Sequence, residues 1–279
     1  MKKIKVFAPA KVNFALDIVG KENGYHNIKT VVSTVSFGDE IVLKKRKDDR
    51  ISLKVIGSAG CPAGENNAFK AGKLFKKTFK TSGFDIVLKK KIPVGSGLGG
   101  SSADAAGVLN GLKALFKVNA DLNSLANALG SDTAYMLLGG FALLKGRGEV
   151  IEPIKTGTKF YLVLCKSEYP VMTKDAYALY DEIGEEYSPF AELLKESLEK
   201  DDRDGVVKNL KNDLYAAATR ILPEIKRDLF SLSECAPSVM SGSGATVFSV
   251  FLDKEERDKA YSVLKKKLKG KLIKAETIG

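Results

Sequence analysis

Tryptophan is absent from the 279 residues, histidine occurs once, and cysteine occurs three times. Each scarcity closes off some chemistry. The lone His26 rules out a multi-histidine metal cluster, and a Ser-His-Asp triad could be built only around it. Cys61, Cys165 and Cys235 lie far apart, are odd in number and form no CxxC pair. That pattern argues against a disulfide framework or a cysteine zinc site and suits a reducing compartment. No apolar run approaches the ~20 residues that span a bilayer. The basic start, Met1-Lys2-Lys3-Ile4-Lys5-Val6-Phe7-Ala8-Pro9, lacks the apolar stretch and cleavage site of a signal peptide. A cytoplasmic protein with no membrane partner is the expectation.

Arginine is scarce too. Of 45 basic residues only seven are Arg, although the net charge is +11. Guanidinium groups and stacking aromatics carry most nucleic-acid recognition, and both are in short supply. Most lysines alternate with Glu and Asp in helix-like stretches or sit at strand ends such as Lys89-Lys90-Lys91. A solvated lysine-rich surface accounts for them, and the same charge attracts polyphosphate substrates. A nucleic-acid groove is the weaker reading.

What is present is a globular composition, 44% hydrophobic and 28% charged, on a chain long enough for two cores. Short apolar stretches at 3–8, 12–19, 28–37, 40–43, 51–56 and 84–92 read as strands. Ala68, Ala71, Leu74, Phe75 and Phe79 fall at helical spacing in 66–80. Helices are expected at 102–116, with Asp121 capping another through Leu129. Residues 139–144 and 150–154 read as a hairpin. Beyond a boundary near Thr156-Gly157-Thr158, a strand at 160–165 precedes helices at 173–183, 189–198, 206–218 and 223–235. Strands at 239, 247–252 and 272–275 surround a last helix at 254–268. Strands and helices mix without a βαβ rhythm, which predicts an α+β fold with domains at 1–156 and 157–279.

The densest motif runs from Pro93 to Ala106: Pro-Val-Gly-Ser-Gly-Leu-Gly-Gly-Ser-Ser-Ala-Asp-Ala-Ala. A strand enters it and a helix leaves it. Four glycines among six residues, 95 to 100, are more than a plain turn needs, and they let a ligand approach the backbone closely. The helix start adds unpaired N–H groups and a positive dipole end, a ready phosphate site. Ser101 and Ser102 add hydroxyls, and either could meet a magnesium ion that bridges phosphates. No lysine follows as in a P-loop. Gly95-x-Gly97-x-x-Gly100 matches the dinucleotide fingerprint, yet Asp121, at the right distance, follows a helix where that fold needs a strand.

The glycine run with its Ser-Ser-x-Asp-Ala-Ala continuation resembles the phosphate-binding motif of the GHMP kinases, which phosphorylate small-molecule alcohols. Three more segments carry the resemblance: Ala8-Pro9-Ala10-Lys11-Val12-Asn13, Gly24-Tyr25-His26, and Ala236-Pro237-Ser238-Val239-Met240-Ser241-Gly242-Ser243-Gly244-Ala245. Together they span nearly the whole chain. The Gly-Tyr-His segment points to the branch whose alcohol carries a cytidine. The resemblance implies a two-domain α+β GHMP-kinase fold: an N-terminal ribosomal-S5-like domain, a C-terminal α/β sandwich, and an active site in the cleft between domains. It implies ATP and Mg²⁺, and as substrate a CDP-linked polyol, the tertiary 2-hydroxyl of a CDP-linked methylerythritol on the non-mevalonate isoprenoid route. Homoserine- or mevalonate-type kinases stand as the alternative, and a nucleic-acid-binding protein as a third. Monomer and homodimer both stay open.

Residue roles follow from the same likeness. Asp132, in Gly130-Ser131-Asp132-Thr133, stands at the catalytic aspartate and Lys11 at the active-site lysine. Taken alone, Asp132 reads as a helix cap and Lys11 as a surface residue. The family commonly has Val-Pro-Phe after the aspartate where this chain has Thr133-Ala134-Tyr135. Asn13, Tyr25, His26, Lys145, Thr173 and Tyr177 correspond to substrate-binding positions, with Tyr25 and Tyr177 as aromatic walls beside a cytosine. Asn66, after Glu65, matches a contact near the adenine. Pro93, Gly95, Ser96, Gly97, Leu98, Gly99, Gly100, Ser101 and Ser102 are expected to hold the ATP phosphates. Ser102 stands at the family's first serine and Ala103 at its second. Ser101 is placed to supply the missing hydroxyl, and Ser102 is the candidate magnesium contact. The 241–245 turn is expected to close on the substrate.

Overall fold

The computed structural model describes residues 2–58, 60–184 and 189–279. Its first long element is β1 (Lys3–Glu22), followed by β2 (Tyr25–Lys45). They meet at Asn23-Gly24, where both residues have positive φ, 50° and 80°. That is the backbone of a two-residue type I′ turn, whose twist matches the flanking strands. The sequence reading split each of these strands in two, at Pro9 and near Gly38. Pro9 gives up one ladder donor without ending the strand. Gly38 is needed because a β-carbon there would drive into the Ala8 carbonyl.

The chain then forms β3 (Ile51–Ile56), α1 (Asn67–Phe79), β4 (Phe84–Lys89), α2 (Gly100–Phe116), α3 (Asn123–Asn127) and α4 (Ser131–Leu138). Next come β5 (Phe141–Gly146), β6 (Val150–Pro153), β7 (Tyr161–Lys166), α5 (Thr173–Ile183), α6 (Phe190–Glu199), α7 (Arg203–Lys208) and β8 (Lys211–Asn212). The last elements are α8 (Tyr215–Ile221), α9 (Glu224–Ser233), β9 (Ser238–Met240), β10 (Thr246–Phe251), α10 (Lys254–Lys267) and β11 (Lys271–Ile278). The architecture is α+β, as expected.

The chain divides into two units, each assembled from separate segments. The first holds Met1–Ala10, Gly38–Val94 and Gly99–Leu138. In it the far half of β2 runs antiparallel to β4, register Glu40 to Lys89, and β4 runs parallel to β3. Helices α1 and α2 pack on each other, and α4 packs on α2. Two glycines let α2 lie directly on the strands: a β-carbon at Gly107 would stand 2.7 Å from Ile41 Cδ1, and one at Gly111 would strike Leu43. Ile41, Leu43, Phe75, Phe84, Ile86, Leu88, Leu109 and Leu112 fill this core.

The second unit holds Lys11–Phe37, Gly95–Leu98 and Gly139–Gly279. Here the near half of β2 pairs with β5, and β5 with β6. Antiparallel β11, β7, β10 and β9 lie in that order, with Thr277 and Ile278 paired to Val35 and Thr34. Phe14 is ringed by Phe141, Phe160 and Phe248 at centroid distances of 5.4 to 5.7 Å. Buried apolar residues of α5, α8, α9 and α10 form a further core with β7 and β10.

One predicted helix, 206–218, is in fact α7, β8 and α8. Tertiary hydrogen bonds override local propensity there. Asn212 Nδ2 donates to the carbonyls of Met240 and Gly242 at 2.7 and 2.8 Å, and its Oδ1 accepts Leu214 N–H at 2.9 Å. Asp213 takes Ile18 N–H at 2.8 Å. The helix expected from Asp121 to Leu129 shrinks to α3, where Asp121 Oδ1 accepts Asn123 N–H at 3.1 Å. Among the described residues, no helix is long and apolar enough to cross a membrane. Cys61, Cys165 and Cys235 form no disulfide with one another.

Candidate active site

Four stretches of the second unit converge around Lys11, which β1 holds almost fully buried. Its Nζ donates to Asn13 Oδ1 at 2.6 Å, two residues along the same strand and therefore on the same face. Asn13 Nδ2 donates to Thr30 Oγ1 at 2.9 Å, and Thr30 Oγ1 donates to the Ala15 carbonyl at 2.6 Å. The glycine run joins through its backbone: Lys11 N–H donates to Leu98 O at 3.0 Å. Ser241 completes the set. Its hydroxyl accepts Asn13 N–H at 3.2 Å and lies 3.1 Å from Gly97 O.

These contacts explain two of the glycines. Gly97 has φ +74°, and a β-carbon there would collide with Ser241 O and stand 3.0 Å from Gly244 O. Gly242, at φ +58°, would place one 3.3 Å from Gly97 O. Both need the left-handed region and the missing side chain. The Asn212 amide pins the carbonyls on either side of Ser241. Thr173, at the start of α5, lies 3.0 Å from Ser243 Oγ. Ser96 is buried, and Gly95 faces Pro170.

A second group of the same unit lies where the hairpin begins β2. His26 stacks on Tyr177, with centroids 4.7 Å apart and planes 24° apart, and meets Tyr180 edge-on at 6.2 Å. Its Nε2 is 2.6 Å from Asp181 Oδ1, and Lys21 Nζ donates to the other oxygen at 2.5 Å. Lys21 first, then His26, holds the Asp181 carboxyl below its usual range. Tyr25 is exposed, with the Arg147 guanidinium 4.3 Å from its ring centroid. Lys145 donates to Glu152 at 2.6 Å.

The first unit carries the remaining predicted residues. Gly99, at φ 69°, is the N-cap of α2 and lends no side chain to the four leading N–H groups. Ser101 and Ser102 fall in the first turn, and Ser101 Oγ accepts Asn67 Nδ2 at 2.7 Å. Pro93 closes the strand side of the run. Asn66 caps α1, its Oδ1 accepting Ala68 N–H at 2.9 Å. Asp132 is half-buried in the first turn of α4, inside the helix and not at its cap.

An ion triad in this unit escaped the sequence reading. Lys90 Nζ donates to Asp39 at 2.5 Å and to Asp104 at 2.6 Å. Asp39 also accepts the N–H groups of Lys91 and Ile92 at the strand end that leads into the glycine run. Burial first, and Asp39 after it, push the Asp104 carboxyl up to about 8 against the pull of Lys90. A β-carbon at Gly100 would stand 3.4 Å from Lys90 Nζ and 2.8 Å from Ile92 Cγ2. The available signal was a lone aspartate among the alanines of a helix start, partnered 14 residues back.

The chain matches the model for the GHMP kinases N terminal domain over residues 66–140 and that for GHMP kinases C terminal over 179–270. It is 39% identical to the 4-diphosphocytidyl-2-C-methyl-D-erythritol kinase of Clostridium beijerinckii, over 97% of this chain and 99% of that protein. The chain belongs to this family of kinases. A crystal structure of 4-(cytidine 5'-diphospho)-2C-methyl-D-erythritol kinase superposes with TM-score 0.83 at 30% identity, covering 99% of this chain and 100% of that one. Homoserine kinase from Cytophaga hutchinsonii shares the fold, with TM-score 0.78 at 20% identity over 100% of this chain and 95% of its own. The chain is therefore an ATP-dependent kinase.

Proposed function

We propose that this chain transfers the γ-phosphate of ATP to the 2-hydroxyl of 4-diphosphocytidyl-2-C-methyl-D-erythritol, a step in non-mevalonate isoprenoid precursor synthesis. The Lys11–Asn13–Ser241 network, hydrogen-bonded to the backbone at Gly97 and Leu98, carries the reading. It gathers a buried ammonium, an amide and a hydroxyl beside a glycine run, the donor set that an alcohol and a polyphosphate both need.

In this reading Asp132 accepts the proton of the substrate hydroxyl while its oxygen bonds to the γ-phosphorus. The bond from that phosphorus to the β–γ bridging oxygen breaks, and ADP leaves. Lys11 stabilises charge on the attacking oxygen, and Asn13 and Thr173 orient the polyol. Residues 95–102 hold the phosphates through backbone N–H groups at the start of α2, with Asn66 on the adenine side. Lys145 serves the diphosphate and Tyr25, His26 and Tyr177 the cytosine. The joint action of Lys11 and Asp132 rests on the family resemblance.

Among the described residues no three Asp, Glu, His or Cys gather to hold a metal. The donor set fits a magnesium ion carried by ATP, with the Ser102 hydroxyl as the protein's contribution. Such an ion neutralises charge on the β- and γ-phosphates.

ADP release measured with the cytidylylated methylerythritol, homoserine and mevalonate decides the substrate. Turnover confined to the first is expected. Turnover of a plain alcohol, with none of the cytidylylated one, overturns the reading.

A further inference from the structure

Asp181 belongs to no expected set of substrate-binding residues, yet it is the hydrogen-bond partner of the chain's single imidazole. We propose that Asp181 is a positioning residue for base selection: it keeps the His26 proton on Nε2, so that Nδ1 offers a lone pair to the 4-amino group of cytosine. The proposal rests on the cytidylylated substrate argued above and adds the means by which the base is chosen.

Lys21 Nζ, 2.5 Å from Asp181 Oδ2, favours the ionised carboxylate, and the Asp181 carboxyl sits below its ordinary range for that reason first. A carboxylate has no proton to give, so the 2.6 Å contact with His26 requires that Nε2 be the donor. In the neutral ring the other nitrogen is then an acceptor, because an imidazole with one proton has one donor and one acceptor. Aspartate fixes histidine tautomers in this way in catalytic triads.

The ring is also fixed in space. Tyr177 is stacked on it at 4.7 Å and Tyr180 stands edge-on at 85°. The His26 side chain is only 10% exposed. A ring flip about Cβ–Cγ would put a carbon where each nitrogen stands and break the Asp181 bond.

An acceptor at this position discriminates. Cytosine presents an N4 amino donor where uracil presents an O4 carbonyl. A lone pair facing the first makes a hydrogen bond, and facing the second it meets another lone pair. A mispaired buried polar group costs about tenfold or more in binding.

The histidine is unique, so its ring nitrogens give one unambiguous pair of signals in the ¹⁵N-labelled full-length protein, observed on the neutral ring. The expected spectrum has a protonated Nε2 and a bare Nδ1. CDP should shift the Nδ1 signal and bind about tenfold or more tighter than UDP. Asp181→Asn, whose amide accepts or donates, should mix the tautomers and bring the CDP-to-UDP ratio towards one. Asp181→Glu should restore both readouts in part, which a loss of fold would not allow. A wild-type ring protonated on Nδ1, equal binding of CDP and UDP by the wild type, or an unchanged ratio in Asp181→Asn overturns the proposal. Binding of these nucleotides needs no turnover. Absence of phosphate transfer to the cytidylylated alcohol is thus a separate result, and it bears on the kinase reading alone.

Discussion

Two lysines of this protein keep their side chains almost wholly out of water, and they live in opposite surroundings. Lys11, in the second unit, gives its ammonium to the amide oxygen of Asn13, in a web of hydroxyls and backbone groups. Lys90, in the first, sits between two buried acids, Asp39 and Asp104. An amide–ammonium bond releases its partners readily to an incoming anion or alcohol. A lysine held between two buried acids is already neutralised, even with the Asp104 carboxyl raised towards its protonated form, and breaking the clasp strands buried charge. The contrast fits the proposed role of Lys11 in chemistry, and it leaves Lys90 holding the strand end that feeds the glycine run.

The widest gap between the two should appear in turnover. Lys11→Met and Asp132→Asn are each expected to lower kcat by about 10²–10⁴-fold, the range for loss of a charge-stabilising or proton-accepting group. Their urea midpoints should stay near that of the wild type. A near-normal kcat in either variant breaks the comparison at its catalytic end.

Lys90→Met should do the reverse. Removing one partner of a buried ionic group costs about 3–5 kcal/mol, read as a lower unfolding free energy in urea. Residual folded protein should keep a kcat much closer to wild type than Lys11→Met does. Unaltered stability would show that the triad does not hold the strand end.

The smallest effect sharpens the picture through pH. The folded-state Asp104 carboxyl is raised to about 8 from an ordinary value of 3.8. A folded state that binds the extra proton is favoured at low pH. The contribution is complete below about 4 and is lost as pH rises to about 8. Asp17, raised to about 7 by burial, acts in the same direction. Asp104→Asn should therefore show a shallower fall in unfolding free energy across that window than the wild type. Identical slopes would place Asp104 outside the titration.

The glycine run, its entering strand and its leaving helix were legible from residues alone, because glycine spacing and helical periodicity are local signals. So were α1, from its apolar spacing, and the α+β class. The Asp39–Lys90–Asp104 triad was not, since its members lie 51 and 14 residues apart and each looks like an ordinary surface charge in its own segment. The break of 206–218 into α7, β8 and α8 was hidden for the same reason: Asn212 answers to carbonyls 28 and 30 residues on. Asp181 reads as one more helix-surface acid until His26, 155 residues earlier, is set beside it.

The Asn23-Gly24 turn hands its exactness on to Tyr25 and His26. Successive strand residues face opposite ways, so Tyr25 lies open while His26 turns inward to Tyr177. One residue added to or removed from that tip would exchange them, moving the imidazole into solvent and the phenol into its place. A pair mounted on a hairpin inherits its address by counting, so the base-reading proposed for Tyr25 and His26 tolerates no insertion or deletion at this tip.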